Sequence, residues 1–186
     1  RSLNEKTAGE TGFVKLSADG NSFVRGDGQP IRFWAINANF ADTEDAARHA
    51  RFLAKMGVNM VRLHAQLPSK EKDAKITDVD DAEIDKMHRF VAEAKKQGIY
   101  VTISPFWAHQ EAPKSWGLEG YDNVSPWGLM FFNDKLKDAY KAWVRKLYEP
   151  KNPYTGIPLA QDPAVAIIQV KNEDSMLFWT TQAIKP

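Results

Sequence analysis

The sequence predicts an α/β fold with a parallel sheet, because short β-branched segments alternate with helical patterns in the order β-α-β-α-β-α-β. Two predicted strands begin directly after a glycine that ends a helix, at Gly57-Val58 and Gly98-Ile99. The longest loops follow strands, which is typical of a (β/α)8 TIM barrel, a fold of roughly 200 to 250 residues. We therefore expect the N-terminal part of a single barrel domain over residues 13–186, after a polar lead-in over 1–12. The rest of the barrel would lie on another segment or chain.

The composition is that of a globular chain, with 43% hydrophobic and 26% charged residues. The formal net charge is +1, which argues against nucleic acid or an anionic membrane as a partner. No apolar run reaches the ~18 residues that span a bilayer. There is no cysteine, which excludes disulfides and thiolate chemistry. HExxH, GxGxxG and P-loop patterns are also missing, so we expect neither a metal nor an organic cofactor.

A small β-hairpin precedes the first core strand. Its arms, 23–25 and 31–33, flank the tight-turn sequence Gly26-Asp27-Gly28-Gln29-Pro30. The second arm continues into the first core strand at 33–37. The hairpin is therefore expected to lead directly into the parallel sheet.

Each predicted helix has a residue that can cap its N-terminus, and the first two end at Gly57 and Gly98. The predicted N-caps are, in order, Asp42 or Thr43, Asp80 (with Glu83 completing a capping box) and Asn133. The three later strands are expected at 58–64, 99–104 and 164–170.

The last of these strands carries the best catalytic candidate. Six of the seven residues in 164–170 are apolar and four are β-branched, which indicates a strand buried on both faces. Asn172 and Glu173 follow at its C-terminal end, where α/β sheets and barrels place their chemistry. A carboxylate beside an amide at this point is suited to acid–base catalysis.

Other polar residues end the first two strands. Arg62 interrupts an apolar strand and shares one face with Met60 and His64 by alternation. A buried arginine needs a carboxylate partner, either at an active site or in a structural ion pair. His64 and Asn37 either contact a ligand or bond to nearby backbone.

The loop after the third strand and the segment after the fourth are rich in aromatic residues. Aromatic rings in these segments can stack on a ligand, or they can pack the loops onto the barrel. Trp107 and Trp179 are the first candidates for a ligand contact.

Four segments in this order resemble the (β/α)8 retaining glycoside hydrolases of the cellulase-like superfamily, the clan of glycoside hydrolase family 5. They are the hairpin and first strand at 21–37, Met56-Gly57-Val58-Asn59-Met60-Val61-Arg62-Leu63, Gln97-Gly98-Ile99-Tyr100-Val101-Thr102-Ile103, and Val165-Ala166-Ile167-Ile168-Gln169-Val170-Lys171-Asn172-Glu173. Together they cover about residues 21–175. Each motif alone is weak, and their order and spacing carry the resemblance.

The resemblance implies a double-displacement glycosidase in which Glu173 is the general acid/base. Asn172 would then hydrogen-bond the sugar 2-hydroxyl, and Arg62 would hold the nucleophile carboxylate. No position here matches that nucleophile, a glutamate at the end of the seventh strand, so this chain alone is expected to be inactive. The substrate would be a β-linked polymer such as glucan or mannan, and the enzyme would be secreted or periplasmic.

Two positions depart from the family pattern. The third strand often ends in Asp-x-His, whereas this chain has Ser104-Pro105-Phe106-Trp107-Ala108-His109, in which His109 would take the histidine's place. The common Asn-Glu-Pro is here Asn172-Glu173-Asp174. Two alternatives remain at this point, a carbohydrate-binding barrel without catalysis and an unrelated barrel enzyme with a fortuitous Asn-Glu.

Overall fold

The structure, a computed structural model, describes residues 4–38, 46–105, 110–175 and Leu177. The strands are β1 (Lys15–Leu16), β2 (Phe23–Val24), β3 (Pro30–Ile31), β4 (Ala35–Ala38), β5 (Met60–His64), β6 (Tyr100–Ser104) and β7 (Val165–Ile168). The α-helices are α1 (Ala46–Lys55), α2 (Asp81–Lys95) and α3 (Asp134–Tyr148).

The last four strands form a sheet in the order β4-β5-β6-β7. β4 and β5 are parallel, with Asn37 opposite Arg62, and β6 and β7 are parallel, with Val101 opposite Val165. Helices follow β4, β5 and β6 along the chain. The predicted parallel α/β fold is therefore confirmed, with each strand beside its predecessor in the sequence, as in a (β/α)8 barrel.

The chain divides into two compact units. The sheet unit comprises the described residues of 1–64, 85–103 and 149–168, and the loop unit comprises those of 65–84, 104–148 and 169–186. The sheet unit holds β1 to β5, β7 and most of β6. The loop unit holds α3 and the segments that follow β5, β6 and β7 along the chain.

One face of the sheet carries a small core in the sheet unit. Met60 and Tyr100 pack there with Ala8 and Ala164, and Val14, Ile31, Phe33 and Ala166 pack against them. The residues at the alternating positions of β5 and β6 point to the other face and are fully buried, namely Val61, Leu63, Val101 and Ile103. Hydrophobic burial on both faces is what a parallel sheet requires.

The lead-in packs against the sheet unit. The Ala8 N–H donates to the Lys95 carbonyl at 2.9 Å, and the Asn4 amide donates to the Val58 carbonyl at 3.0 Å. Gly98 has φ +71°, and a Cβ there would lie 1.9 Å from the Glu5 carbonyl oxygen. Glycine is therefore required at residue 98 both by its backbone conformation and by the passing lead-in.

Two of the predicted helix caps are confirmed. The Glu83 N–H donates to Asp80 Oδ1 at 3.0 Å, and the Leu136 N–H donates to Asn133 Oδ1 at 2.9 Å. Gly57 ends the first helix with φ +79°. Asp42 and Thr43, the candidate caps of α1, lie outside the described residues.

The last strand differs from its prediction. The sequence indicated a strand at 164–170 buried on both faces, whereas β7 is shorter and its exposure rises along the chain. Ile168 is 54% exposed and Val170 is 70% exposed. The physical reason is that β7 has one neighbouring strand, β6, among the described residues, so its apolar side chains are only partly covered.

The loop unit has an aromatic core of its own. Trp116 and Trp143 are almost fully buried, with ring centroids 5.6 Å apart. The Trp143 indole N–H donates to the Ile76 carbonyl at 2.8 Å. Trp116 thus packs the long loop onto α3. Among the described residues, none of the helices is long and apolar enough to cross a membrane.

Candidate active site

Asn37 and Arg62 lie side by side in the sheet unit. They are opposite one another in the β4–β5 register, so their side chains leave the same face of the sheet. Arg62 is half-buried, and Asn37 is exposed. His64 lies two residues beyond Arg62 on that face and is also half-buried. The sheet therefore brings together three of the polar residues that the sequence singled out.

Thr102 is a polar residue on this face that the sequence analysis missed. It alternates with Tyr100 along β6, so both leave the sheet on the side of the small core, and it is buried. The signal was present in the sequence, because a hydroxyl interrupts an otherwise apolar strand at 99–103.

Asn59 belongs to one of the matching motifs, and the structure gives it a structural role. Its Oδ1 accepts the Trp34 N–H at 2.7 Å, and its Nδ2 donates to the Arg32 carbonyl at 2.8 Å. The side chain is buried. Asn59 thus fixes the chain at its entry into β4, at the end of the sheet opposite to the C-terminal ends of β4 and β5.

Asn172 and Glu173 lie in the loop unit, just after the end of β7. Asn172 is buried, whereas Glu173 is exposed and has a φ of +47°. An acid/base residue is typically partly buried, which raises its pKa, and Glu173 is not buried by the described residues. The left-handed backbone costs about 1 kcal/mol or more in a residue with a Cβ, so neighbouring contacts must hold it.

Asp174 supplies such contacts, and the sequence analysis assigned it no role. Its Oδ1 accepts the Gly128 N–H at 2.6 Å, and its Oδ2 forms an ion pair with the Lys171 ammonium. The Lys171 ammonium also lies 4.4 Å from the centre of the Phe131 ring. All four residues belong to the loop unit.

Three residues that the sequence singled out, Trp107, His109 and Trp179, lie outside the described residues. Within the described residues, no group of three or more His, Cys, Asp or Glu side chains could hold a metal ion.

Comparison with known proteins gives one curated relative to report. Over 174 residues the chain is 24% identical to mannan endo-1,4-beta-mannosidase 3 of Oryza sativa subsp. japonica. The aligned region covers 85% of this chain and 37% of that protein. No family model matches the chain.

Solved structures are similar over most of the chain. The glycoside hydrolase family 5 mannosidase of Rhizomucor miehei matches 88% of this chain and 49% of its own, with a TM-score of 0.69 and 15% identity. The match to the endo-1,4-beta-mannanase of Rhizomucor miehei covers 87% of this chain and 48% of the mannanase chain, with a TM-score of 0.63 and 17% identity. The described fold is that of the matching part of these two enzymes.

The family 5 likeness confirms both the barrel prediction and the resemblance drawn from the four segments. A further family 5 structure, from Bacteroides vulgatus, matches 82% of the chain with a TM-score of 0.54 and 17% identity. The chain spans about half the length of the two Rhizomucor structures and 37% of the curated relative.

Proposed function

We propose that this chain carries the acid/base part of the active site of a retaining glycoside hydrolase that cleaves a β-linked polysaccharide. The observation that carries the proposal is the Asn172-Glu173 pair directly after the fourth strand of a sheet with the family 5 fold. The similar proteins are named as mannosidases and mannanases, so the alternative of a barrel without catalysis gains no support.

In the first step, Glu173 donates its proton to the glycosidic oxygen as a nucleophile carboxylate attacks the anomeric carbon. The bond between that carbon and the leaving oxygen breaks, and a covalent ester between sugar and enzyme forms. In the second step, Glu173 takes a proton from water, whose oxygen displaces the carboxylate. Two inversions retain the β-configuration, and Glu173 is again protonated.

The other assigned residues position the reacting groups. Asn172 donates a hydrogen bond to the sugar 2-hydroxyl, an interaction that strengthens in the transition state. The Arg62 guanidinium holds the nucleophile carboxylate in its ionised form, because a fork of donors matches two carboxylate oxygens. That nucleophile lies outside this chain, on the remaining part of the barrel.

Five further residues are proposed to line the sugar subsites. Asn37 and His64 offer hydrogen-bonding groups at the ends of β4 and β5. His109, Trp107 and Trp179 follow β6 and β7 in the sequence, and the two indoles are suited to stacking on pyranose rings. We assign β-mannan as the first substrate to test. A polymer of this kind does not cross a membrane, so the enzyme would act in the periplasm or outside the cell.

The test is an activity screen of the natural full-length protein on β-mannan, cellulose and mixed-linkage glucan, with Glu173→Gln alongside. Loss of the acid slows substrates with poor leaving groups by about 100-fold or more, whereas substrates with good leaving groups need little protonation. We therefore expect kcat/KM to fall on mannan oligosaccharides and to change little on a dinitrophenyl β-mannoside. Equal rates for the variant and the natural protein on oligosaccharides would refute the assignment.

Glu93→Gln is the matched control. Glu93 lies on α2 and pairs with Lys96 at the surface at 2.6 Å. An exposed pair of this kind contributes about 0.5 kcal/mol or less to stability. The control should keep both activities.

A further inference from the structure

The backbone of Glu173 is held by contacts on both sides of it in the sequence. The residue is exposed and adopts φ +47°, whereas its neighbours Asn172 and Asp174 are both 4% exposed. A left-handed backbone at a residue with a Cβ persists only where its surroundings enforce it. The question is therefore which groups enforce it.

Asp174 is the most deeply anchored group next to Glu173. Its carboxylate is almost completely shielded from water, and it reaches the backbone of Gly128, in the loop that joins β6 to α3. The Gly128 N–H donates to Oδ1 at 2.6 Å. A carboxylate that accepts a backbone N–H makes a charge-assisted hydrogen bond, the stronger kind.

Lys171 balances the buried charge of Asp174 from the other side of Glu173. Its ammonium pairs with Asp174 Oδ2, three residues along the chain, and the lysine side chain is itself mostly shielded. The same ammonium lies over the Phe131 ring at 4.4 Å. The ion pair thus closes a short loop of chain around Glu173 and attaches it to the 128–131 segment.

A third contact fixes the approach to this loop. The Tyr140 hydroxyl, on α3, donates to the Val170 carbonyl. The backbone of 170–174 is therefore tied to α3 before Glu173 and to Gly128 after it. Glu173 is the exposed residue between these two attachments.

We propose that Asp174, together with Lys171, is a positioning residue that fixes the backbone of Glu173 so that its carboxyl meets the glycosidic oxygen. This inference rests on the proposed function of Glu173. The Asp174 side chain is buried, and no contact with the substrate is proposed for it. It acts through the backbone of its neighbour, and it couples that backbone to the 128–131 segment. Misplacement of an acid by about 1 Å can cost about 100-fold in rate.

The test compares Asp174→Asn and Lys171→Met in the natural full-length protein. The first keeps the shape and an acceptor for Gly128 and removes the charge that pairs with Lys171. The second removes the ion pair from the other side and leaves the Asp174–Gly128 bond. Both should lower kcat/KM on mannan oligosaccharides at least about tenfold, since the acid is misplaced. On a dinitrophenyl β-mannoside, which needs no acid, kcat/KM should change less than about threefold.

Asp162→Asn is the matched control. Asp162 is also a fully buried aspartate, it pairs with Lys95 at 2.7 Å, and it accepts a nearby backbone N–H, from Ala164 at 2.9 Å. It belongs to the sheet unit and precedes β7. Its loss should lower thermal stability and leave the ratio of the two kcat/KM values unchanged.

The outcomes separate this inference from the proposed function. If Glu173→Gln shows selective loss on oligosaccharides and the Asp174 and Lys171 variants show the same selectivity, the inference stands. Suppose instead that Glu173→Gln shows the selective loss, and both other variants change kcat/KM equally on the two substrates or on neither. The positioning role is then refuted and the proposed function survives. If Glu173→Gln itself lacks the selectivity, both fall. Should Asp174→Asn fail to fold, Lys171→Met decides.

Discussion

Asn59 shows how one buried amide fixes where a strand of the sheet begins. It bonds the Arg32 carbonyl and the Trp34 N–H, on either side of Phe33 in the segment that enters β4. Asn59→Ala would leave a buried donor and a buried acceptor without partners, at a cost of about 2 kcal/mol in the free energy of unfolding. Chemical denaturation of the full-length protein measures this. Asn21 is exposed, so Asn21→Ala is the control and should cost about 0.5 kcal/mol or less. Equal losses of stability in the two variants would contradict the structural role of Asn59.

Tyrosine side chains make the stability fall at high pH. Burial raises the pKa of Tyr140 to about 12, and burial also raises the pKa of Tyr148. The unfolded chain loses these protons near pH 10, so above that pH the folded state binds more protons than the unfolded state. The free energy of unfolding should therefore be intact below about pH 10 and should fall between about pH 10 and pH 12.

Tyr140→Phe tests this directly, since it removes one of the titrating groups. Its loss of stability over that range should be shallower than that of the natural protein in denaturation curves recorded at several pH values. If the free energy of unfolding of the two proteins fell equally with rising pH, the pKa of Tyr140 would not be raised in the folded protein.

At the scale of the element, caps and glycines were predictable, because they depend on a few neighbouring residues. Asp80 and Asn133 cap their helices as the sequence indicated, and Gly57 and Gly98 end theirs. The roles of Asp174 and Asn59 were not predictable, because their partners are backbone groups 46 and 25 residues away in the sequence. The position of Glu173 after a predicted strand was enough to make it a catalytic candidate. The contacts that hold the backbone of Glu173 could not be predicted from the sequence.

β7 was correctly predicted as a strand, but the prediction that it is buried was wrong. Its apolar residues were expected to be covered on both faces, whereas that coverage depends on the strands beside it. In the β6–β7 register Ile168 lies opposite Ile103, which is fully buried, and in a closed barrel further structure would cover this end of β7. Ile168→Lys in the full-length protein should therefore cost about 2 kcal/mol or more, the value of one buried aliphatic side chain.

The matched control is Leu16→Lys in β1, because Leu16 is 65% exposed and Ile168 is 54% exposed in this chain. The control should cost about 0.5 kcal/mol or less. Thermal or chemical denaturation compares the two. If Ile168→Lys proved as mild as the control, the exposed end of β7 would not be covered in the full-length protein.

At the scale of the whole molecule, Glu173 needs a second carboxylate as its partner, and we expect that partner on the rest of the barrel. Retaining hydrolysis uses two carboxyl groups about 5 to 5.5 Å apart, and the matching segments supply only Glu173. The 186-residue chain, expressed alone, should therefore show no hydrolysis of mannan or of a dinitrophenyl β-mannoside in a reducing-sugar or chromogenic assay. Turnover by the chain alone, with retention of configuration, would contradict the assignment of the nucleophile to the rest of the barrel.

We propose Glu173 as the acid/base of a double displacement. Its most direct test is azide rescue of Glu173→Ala in the full-length protein, with a dinitrophenyl β-mannoside as substrate. The variant should form the covalent intermediate and then stall, because no base activates water. Azide needs no base, so it should restore turnover and give the β-mannosyl azide, identified by NMR. Turnover at the natural rate without azide, and no azide product with it, would contradict the claim.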